Sequence, residues 1–354
     1  MIRRSRIDRL LRDNHAAYSK ASSRIMKKKA GLDRLDLPEV TTRDANEFYA
    51  GFRPFINTDT KEPVLQLNDH QVEIWNHQFM YVNRMYPKSQ KITITTVCIL
   101  EDIYHALTDA MGLEIVITGQ TASHAQNHLL DFKKYIRESI YKDYLIDSST
   151  GSYNDVIRSG IDSLGLELNE KTKATMALLH NPNHPSRPTR VYALGATSGT
   201  MLSLKYVKHI HASDITKSKE VPEKQKQTYV ELKSRLANSK GSIVFESLPP
   251  FGEVGPMASE WDLYNKLMEK NPAFDLSKLS RAEQRAYPMF IKPYDYTYGI
   301  KAGVLDAPFI EGERNSHGVL FDMYYGAKIV KEGTTLFGEE LFRTSDNATD
   351  FYCS

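Results

Sequence analysis

The sequence is poor in cysteine and contains no long apolar run. Its two cysteines, Cys98 and Cys353, lie too far apart along the 354-residue chain to suggest a disulfide framework or a metal motif. No apolar stretch approaches the ~18 residues that a membrane-spanning helix requires. The basic N-terminus also lacks the apolar segment of a secretory signal. These absences predict a protein of a reducing cytoplasm that is not embedded in a membrane.

Net charge is small, +2 over the whole chain, but it is unevenly distributed. Residues 1–30 contain ten basic and two acidic side chains, so this segment carries +8 and the remainder −6. A basic arm on an acidic body is typical of proteins that contact a polyanion such as DNA. Because Ile7, Leu10 and Leu11 fall at helical spacing, the arm is predicted to be helical, and a solvated helix without a polyanion partner is an equal alternative.

The hydrophobic pattern alternates between strand-like and helix-like segments. It predicts helices at about 69–84, 95–110, 123–140, 222–238 and 258–269, and strands at 113–118, 191–194, 206–212 and 242–247. Prolines make 37–66 and 181–188 loop-like. Strands that alternate with helices favour an α/β fold with a mostly parallel sheet and helices on both faces.

The loop at residues 88–96 reads Lys-Ser-Gln-Lys-Ile-Thr-Ile-Thr-Thr and runs directly into a predicted helix. Paired hydroxyls, at Thr95 and Thr96, together with a cation at a helix start, are the parts that hold a nucleotide triphosphate and its Mg²⁺. The cation must be Lys88 or Lys91, and Lys88 is the expected one. The loop lacks the glycines that usually let the backbone wrap phosphates, so it is a degenerate phosphate-binding loop.

Three further positions complete a candidate site. Gln71, at a helix start before the loop, carries an amide that can read the edge of adenine. Asp214 follows an apolar strand, where an acid can hold Mg²⁺ or polarise water. Glu246 and Ser247 end another strand, where they can sense a γ-phosphate.

In order and spacing these features resemble the ATPase domain of viral large terminase subunits, the motors that pump DNA into procapsids. The resemblance covers roughly residues 65–265. The matching residues are Lys88-Ser89 and Ile94-Thr95-Thr96 in the loop, and Glu246-Ser247-x-Pro249 with Gly252 or Gly255 at the exit of the later strand.

The resemblance implies a P-loop NTPase-like fold that binds ATP and Mg²⁺. It assigns catalysis to Asp214 and Glu246, and the Mg²⁺ to Thr95 and Asp214. The nucleotide-binding residues that it implies are Gln71, Lys88, Lys91, Thr93, Thr95, Thr96 and Ser247. It further implies double-stranded DNA, a viral portal and a small terminase subunit as partners, a homo-oligomeric ring, and the cytoplasm of the infected host cell as location.

The chain also departs from the family pattern, in which the loop often reads Lys-x-Arg-Gln-x-Gly-x-Ser/Thr-Thr. The arginine is Gln90 here and the glycine is Thr93. A β-branched residue at a left-handed position costs about 1–2 kcal/mol. Two alternatives follow: a decayed DNA-binding or scaffold protein without ATPase activity, or an unrelated α/β protein in which Thr95, Asp214 and Glu246 do not converge.

The domain organisation predicted from the resemblance has three parts: a basic helical arm at 1–40, the ATPase domain at 41–275, and a C-terminal extension or the start of a truncated nuclease domain at 276–354. The first nuclease strand would contain Asp306, but too few residues follow it for such a domain. Asp306 is therefore expected to be an ordinary loop acid.

Histidines offer a weaker signal. His124 and His128 share one face of a predicted helix, but no third metal ligand is visible nearby. His209 and His211 alternate along a predicted strand and are expected to pack or to bond the backbone.

Overall fold

The computed structural model describes residues 37–56, 61–146, 175–184, 187–195, 204–217, 222–250 and 255–330. Most of the predicted basic arm at 1–40 lies outside the described residues, and so does Gly252. Among the residues that are described, no helix combines the length and the apolar character needed to cross a bilayer.

Seven of the described strands form one sheet. The strands are β1 (Phe55–Ile56), β2 (Pro63–Val64), β3 (Asn83–Pro87), β4 (Glu114–Gly119), β5 (Met176–Leu179), β6 (Thr189–Gly195), β7 (Val207–Ser213), β8 (Ser242–Ser247) and β9 (Phe290–Ile291). The sheet order is β5-β6-β4-β7-β8-β3-β9, and all neighbours are parallel except β5 and β6. β1 and β2 form a separate antiparallel pair.

Helices cover both faces of this sheet. They are α1 (Ala45–Tyr49), α2 (Asp69–Met80), α3 (Ile94–Leu107), α4 (Ala122–Arg137), α5 (Pro222–Ser239), α6 (Gly255–Lys270), α7 (Arg281–Gln284), α8 (Tyr296–Lys301), α9 (Ala307–His317) and α10 (Phe321–Tyr324). α1 to α4 pack on one face, and α5 and α6 on the other. The predicted α/β fold with a mostly parallel sheet and helices on both faces is confirmed.

The apolar alternation of β4 shows how one strand serves two cores. Ile115 and Ile117 lie in the core beneath α3 and α4, whereas Val116 lies in the core beneath α5. All three are fully buried. Central parallel strands are buried on both faces, so they read as continuous apolar runs, and this is why β4 and β8 are predictable from sequence.

The structure corrects several predicted elements. The helix predicted to reach 84 ends at Met80, because the chain enters β3 at Asn83. β3 was not predicted, nor was the antiparallel edge strand β5 within the polar region 141–190. β3 contains Arg84, a residue atypical of a buried strand, whose guanidinium is paired with Glu101 on α3.

The segment after residue 275 contributes to the same sheet, since β9 pairs with β3. Residues 303–307, which were considered as a first nuclease strand and judged against, do not form a strand. Asp306 is instead the N-cap of α9, where its carboxylate accepts a hydrogen bond from the backbone amide of Phe309 at 2.6 Å.

Candidate functional site

The sheet order brings three strand ends to one edge. β8 lies between β3 and β7, so the exits of all three strands are adjacent. Glu246 of β8 pairs in register with Tyr86 of β3 and with Ser213 of β7. Ligands of open α/β sheets bind at the carboxyl ends of parallel strands. The candidate site therefore lies where such a sheet binds its ligands.

Four polar side chains meet at this edge. Lys88 follows β3, and its Nζ donates to Thr95 Oγ1 at 2.8 Å, contacts Glu246 as an ion pair and lies 3.9 Å from Asp214 Oδ1. Thr95 Oγ1 in turn donates to Glu246 Oε1 at 3.1 Å. The alternative in which Thr95, Asp214 and Glu246 lie apart is excluded by these contacts.

Glu246 is a fully buried carboxylate held in its charged form. Burial by itself would raise the pKa of Glu246, but the Lys88 ammonium and the His211 imidazole hold that pKa well below its usual range. Burial would likewise lower the pKa of Lys88, and the carboxylates of Glu246 and Asp214 raise it instead. The site thus contains a pre-formed ion pair at the place where a phosphate-binding lysine is expected.

His211 connects this cluster to the interior. Its Nδ1 lies 2.8 Å from Asp102 Oδ2 and its Nε2 lies 3.4 Å from Glu246 Oε1. Burial favours the neutral imidazole, but these two carboxylates raise the pKa of His211 to about 10. The expectation that His211 packs or bonds the backbone is wrong, because it is a charged bridge between two buried acids.

The loop before α3 has a strained backbone. Thr93 is the N-cap of α3 with φ 62° and ψ 21°, in the left-handed region where the family pattern has glycine. Lys91 also has φ 62°. For a non-glycine residue this conformation costs about 1–2 kcal/mol. The loop thus adopts a glycine-type turn without glycine.

Gln71 supports this turn. Its Nε2 donates to Thr93 Oγ1 at 3.0 Å and contacts the Thr93 carbonyl oxygen at 3.3 Å, while its Oε1 accepts from the backbone amide of Asn68. The amide that was expected to read adenine is therefore occupied by the loop and by the capping box of α2.

The first amides of the loop are bound to protein carbonyls. Lys88 N donates to Ser247 O at 2.9 Å, Ser89 N to Tyr294 O at 2.8 Å and Gln90 N to Tyr324 O at 2.9 Å. The amides at the start of α3 have no intrahelical acceptor, as at any helix N-terminus. An anion at this loop would therefore be held by the helix start rather than by a complete backbone cradle.

The other residues predicted to bind nucleotide do not all lie in the acid cluster. Lys91 extends away from the acid cluster, and its Nζ lies 4.3 Å from the centre of the Phe309 ring. Ser247 contacts Thr216 through its hydroxyl. Thr96 and Thr93 line a cleft of about 1130 Å³, together with Gln71 and Lys91.

This cleft adjoins the loop at Lys91, Thr93 and Thr96. Phe55, Leu67, Tyr135, Val304 and Phe309 provide apolar walls, and several charged groups stand around them. Ligand clefts are typically ~300–1,000 Å³ with apolar walls and a few polar groups. The cleft can therefore accept a planar ring system whose anionic portion reaches the start of α3.

The oxygen donors near Lys88 suit a hard cation. The Thr95 hydroxyl and the Asp214 carboxylate are ligands of the kind that Mg²⁺ prefers. Asp214 has φ 50°, and its amide donates to Glu246 O at 2.8 Å, which fixes the carboxylate beside β8. The residues present fit Mg²⁺ on the chemistry of these donors.

Sequence reasoning missed the buried groups beneath the loop. Arg84, Glu101, Asp102 and His211 link β3, α3 and β7 through side-chain contacts. The available signal was the acidic pair Glu101-Asp102 in the middle of the mostly apolar helix α3.

The two histidines that share a face of α4 lie close together. His128 contacts Ser213 Oγ at 3.0 Å, and its ring centre lies 4.4 Å from that of His124.

No protein-family model matches the chain, and no curated protein matches it. Solved structures do. The large terminase of a thermophilic bacteriophage is 10% identical, with a TM-score of 0.45 over 74% of this chain and 53% of that one. The ATPase domain of the large terminase of Thermus phage P74-26 is 12% identical, with a TM-score of 0.47 over 78% of this chain and 100% of that one.

The large terminase of bacteriophage HK97 is 10% identical, with a TM-score of 0.41 over 64% of this chain and 42% of that one. This chain therefore spans about half the length of the HK97 protein and of the first of these terminases. That first terminase has been solved with ADP and with ATP-gamma-S. The chain is similar in structure to large terminase ATPase domains.

Proposed function

We propose that this chain is an ATPase of the large-terminase type, whose hydrolysis of ATP powers the packaging of viral DNA into procapsids. The observation that carries the proposal is the meeting of Lys88, Thr95, Asp214 and Glu246 at one edge of a parallel sheet, beside a helix N-terminus. A cation, a hydroxyl and two acids in this arrangement are the parts of a phosphoryl-transfer site.

The nucleotide would occupy both sides of the loop. Its base and ribose would enter the cleft bounded by Phe55 and Phe309, and its phosphates would lie at the start of α3. Gln71 would act indirectly, by holding Thr93 in the left-handed turn that shapes the phosphate seat.

Binding of the phosphates requires an exchange of partners. Lys88 would release Glu246 and move its ammonium onto the phosphate oxygens, which leaves the Glu246 carboxylate free to orient and polarise the attacking water. Thr95 and Asp214 would hold Mg²⁺, which neutralises charge on the phosphates when it is bound. Ser247 lies beside Glu246 on β8, and the contacts of its hydroxyl would change with the presence or absence of the γ-phosphate.

The partners follow from the same proposal. Double-stranded DNA would contact the basic residues 1–30, while a portal, a small terminase subunit and further copies of the chain in a ring would complete the motor in the cytoplasm of the host cell. A chain that lacks residues 1–30 should then bind duplex DNA more weakly and with a shallower salt dependence.

The direct test is hydrolysis of Mg-ATP by the full chain, with and without duplex DNA. Thr95→Ala and Glu246→Gln should each lower kcat by about 10²–10³-fold, the loss typical of removing one group from a preorganised site. Thr95→Ser keeps the hydroxyl and should keep most of the activity. Equal turnover in Thr95→Ala and Thr95→Ser would refute the assigned site.

A second candidate is a terminase-like DNA-binding or scaffold protein without ATPase activity. Three observations favour it: the left-handed Thr93, the loop amides bound to protein carbonyls, and the pairing of Lys88 with Glu246. This candidate predicts no binding of Mg-ATP and an affinity for DNA that falls with salt. Nucleotide binding measured by calorimetry separates the two.

A further inference from the structure

A second group of chemically competent side chains lies inside the molecule, away from the cleft. Glu101 and His105 are four residues apart on α3 and so share one helix face. His209 faces them from β7. All three are buried, and one potential ligand atom from each lies within 4.8 Å of the other two.

These atoms lie close to one another, but the two imidazole nitrogens among them make no hydrogen bond within the described residues. His105 Nε2 lies 3.4 Å and His209 Nε2 lies 3.6 Å from Glu101 Oε1. Within the described part of the chain, neither Nε2 atom makes a hydrogen bond. Ligands at the ~2.0–2.1 Å bond length of zinc in tetrahedral geometry are separated by about 3.3–3.4 Å, close to the two observed distances.

The other nitrogen of each imidazole already has a partner. His105 Nδ1 lies 2.6 Å from Asp109 Oδ1, and His209 Nδ1 lies 2.9 Å from Ser242 Oγ. A neutral His105 that donates from Nδ1 to Asp109 carries its lone pair on Nε2, directed at a carboxylate. Metal-binding histidines are oriented in this way, with the remote nitrogen held by a carboxylate or another polar group.

Two neighbouring side chains contact the candidate metal ligands. Arg84 pairs with both oxygens of Glu101, which fixes the orientation of that carboxylate. Asp102 Oδ1 lies 3.2 Å from His209 Nε2 and makes no hydrogen bond among the described residues.

We propose that Glu101, His105 and His209 bind a divalent transition-metal ion of the zinc class. Imidazole nitrogens with carboxylate oxygens suit such ions. Because every ligand is buried, no position is open to substrate or bulk water, and the ion is structural.

The ion would link two elements of the candidate site. α3 begins next to the phosphate loop at Ile94, and β7 leads to Asp214. A metal between Glu101, His105 and His209 fixes the helix against the strand and so fixes the spacing of Thr95 and Asp214. A scaffold with the same fold and no ATPase activity would hold the ion equally well, so the ion site is independent of ATP hydrolysis.

The competing explanation is an ion-free core in which His105 carries a proton on both nitrogens and bonds Asp109 and Glu101 together. Metal analysis distinguishes the two. The metal content of the full-length chain, purified without metal-affinity chromatography, is measured by mass spectrometry. A second sample is unfolded with chelator and then refolded with Zn²⁺ or with Mg²⁺ alone. Refolding with Co²⁺ gives a visible absorption that reports tetrahedral nitrogen and oxygen ligation.

We expect about one Zn²⁺ per chain after refolding with Zn²⁺, and a melting temperature about 5 °C or more above that of the Mg²⁺ sample. His209→Gln should lose the ion, whereas His317→Gln, a variant of a histidine on α9, should retain it. Less than about a tenth of an ion per wild-type chain, with equal melting temperatures in Zn²⁺ and Mg²⁺, would overturn the proposal whatever the variants do.

Discussion

Glu246 illustrates how much of this protein depends on single buried charges. One of its oxygens accepts from Thr95 and lies near His211, and the other pairs with Lys88. His211 also holds Asp102. A buried ion is tolerated only when it is paired, because removal of one partner leaves an uncompensated charge. These side chains therefore constrain each other, and none can be changed alone without cost.

Removal of the charged bridge should be strongly destabilising. His211→Gln leaves Asp102 and Glu246 without their shared cation, and we expect a loss of about 3–5 kcal/mol in the free energy of unfolding. Urea denaturation measures it. The matched variant His317→Gln removes a more exposed histidine that contacts Glu313, and it should cost at most about 1 kcal/mol. Equal losses in the two variants would contradict the bridge.

His77 should make stability depend on pH. Burial lowers its pKa to about 4, from the ordinary value of about 6.5 in an unfolded chain. The unfolded state therefore binds the proton first, and stability is lost as pH falls from about 6.5 towards 4. Between pH 7 and pH 5 this group alone should remove about 2 kcal/mol.

Chemical denaturation at both pH values tests this effect. His77→Gln should lose less stability than the wild type on going from pH 7 to pH 5, by the same ~2 kcal/mol. His317→Gln should follow the wild-type pH dependence. If His77→Gln and the wild type lose stability in parallel, the assigned pKa is wrong.

Two helix boundaries contain a non-glycine residue in the left-handed region. Thr93 begins α3 in the left-handed region. Lys240, just after α5, has φ 52°. Helices commonly end with a left-handed residue, and this residue is usually glycine because other side chains clash there. α5 is thus terminated by an unfavourable residue on the surface.

Relief of this strain should stabilise the protein. Lys240→Gly adopts the left-handed conformation without a clash, and after the entropy of the unfolded glycine is subtracted we expect a gain of about 0.5–1 kcal/mol. The control, Lys240→Ala, keeps a Cβ and should gain nothing. The midpoint of urea unfolding separates the two variants, and a loss of stability in Lys240→Gly would show that the φ value is not the limiting feature.

For the molecule as a whole, the segment after residue 275 is part of the sheet and of the loop. β9 pairs with β3, and the carbonyls of Tyr294 and Tyr324 accept from Ser89 and Gln90. Met289 and Tyr294 are fully buried. An ATPase domain that ended at residue 275 would lack these contacts beneath the candidate site.

Two truncations test this dependence. A chain that ends at 275 loses several buried side chains at about 1.5–3 kcal/mol each, which approaches the whole stability of a typical domain. It should show no cooperative thermal transition. A chain that ends at 330 keeps all of these contacts and should melt close to the full-length protein. Cooperative unfolding of the shorter chain would establish an independent domain that ends at 275.

The sequence predicted those elements whose apolar residues follow a regular pattern. β4 and β8 are apolar on both faces, and α3 and α4 have their apolar residues at helical spacing. β3 was missed because Arg84 is polar and becomes compatible with burial only through Glu101, which lies on the helix packed against it. The roles of His209 and His211 were missed for the same reason, since their partners are more than 30 positions away in the chain.

Local patterns in the sequence specify the alternation of strands and helices, the loop that enters α3, and the acids at the ends of β7 and β8. These follow from local periodicity and from short-range order along the chain. The position of β8 between β3 and β7 and the pairing of Lys88 with Glu246 are visible only in the folded molecule. The reason is physical: strand order and buried pairing depend on free energies of contacts between residues distant in sequence, which no local pattern contains.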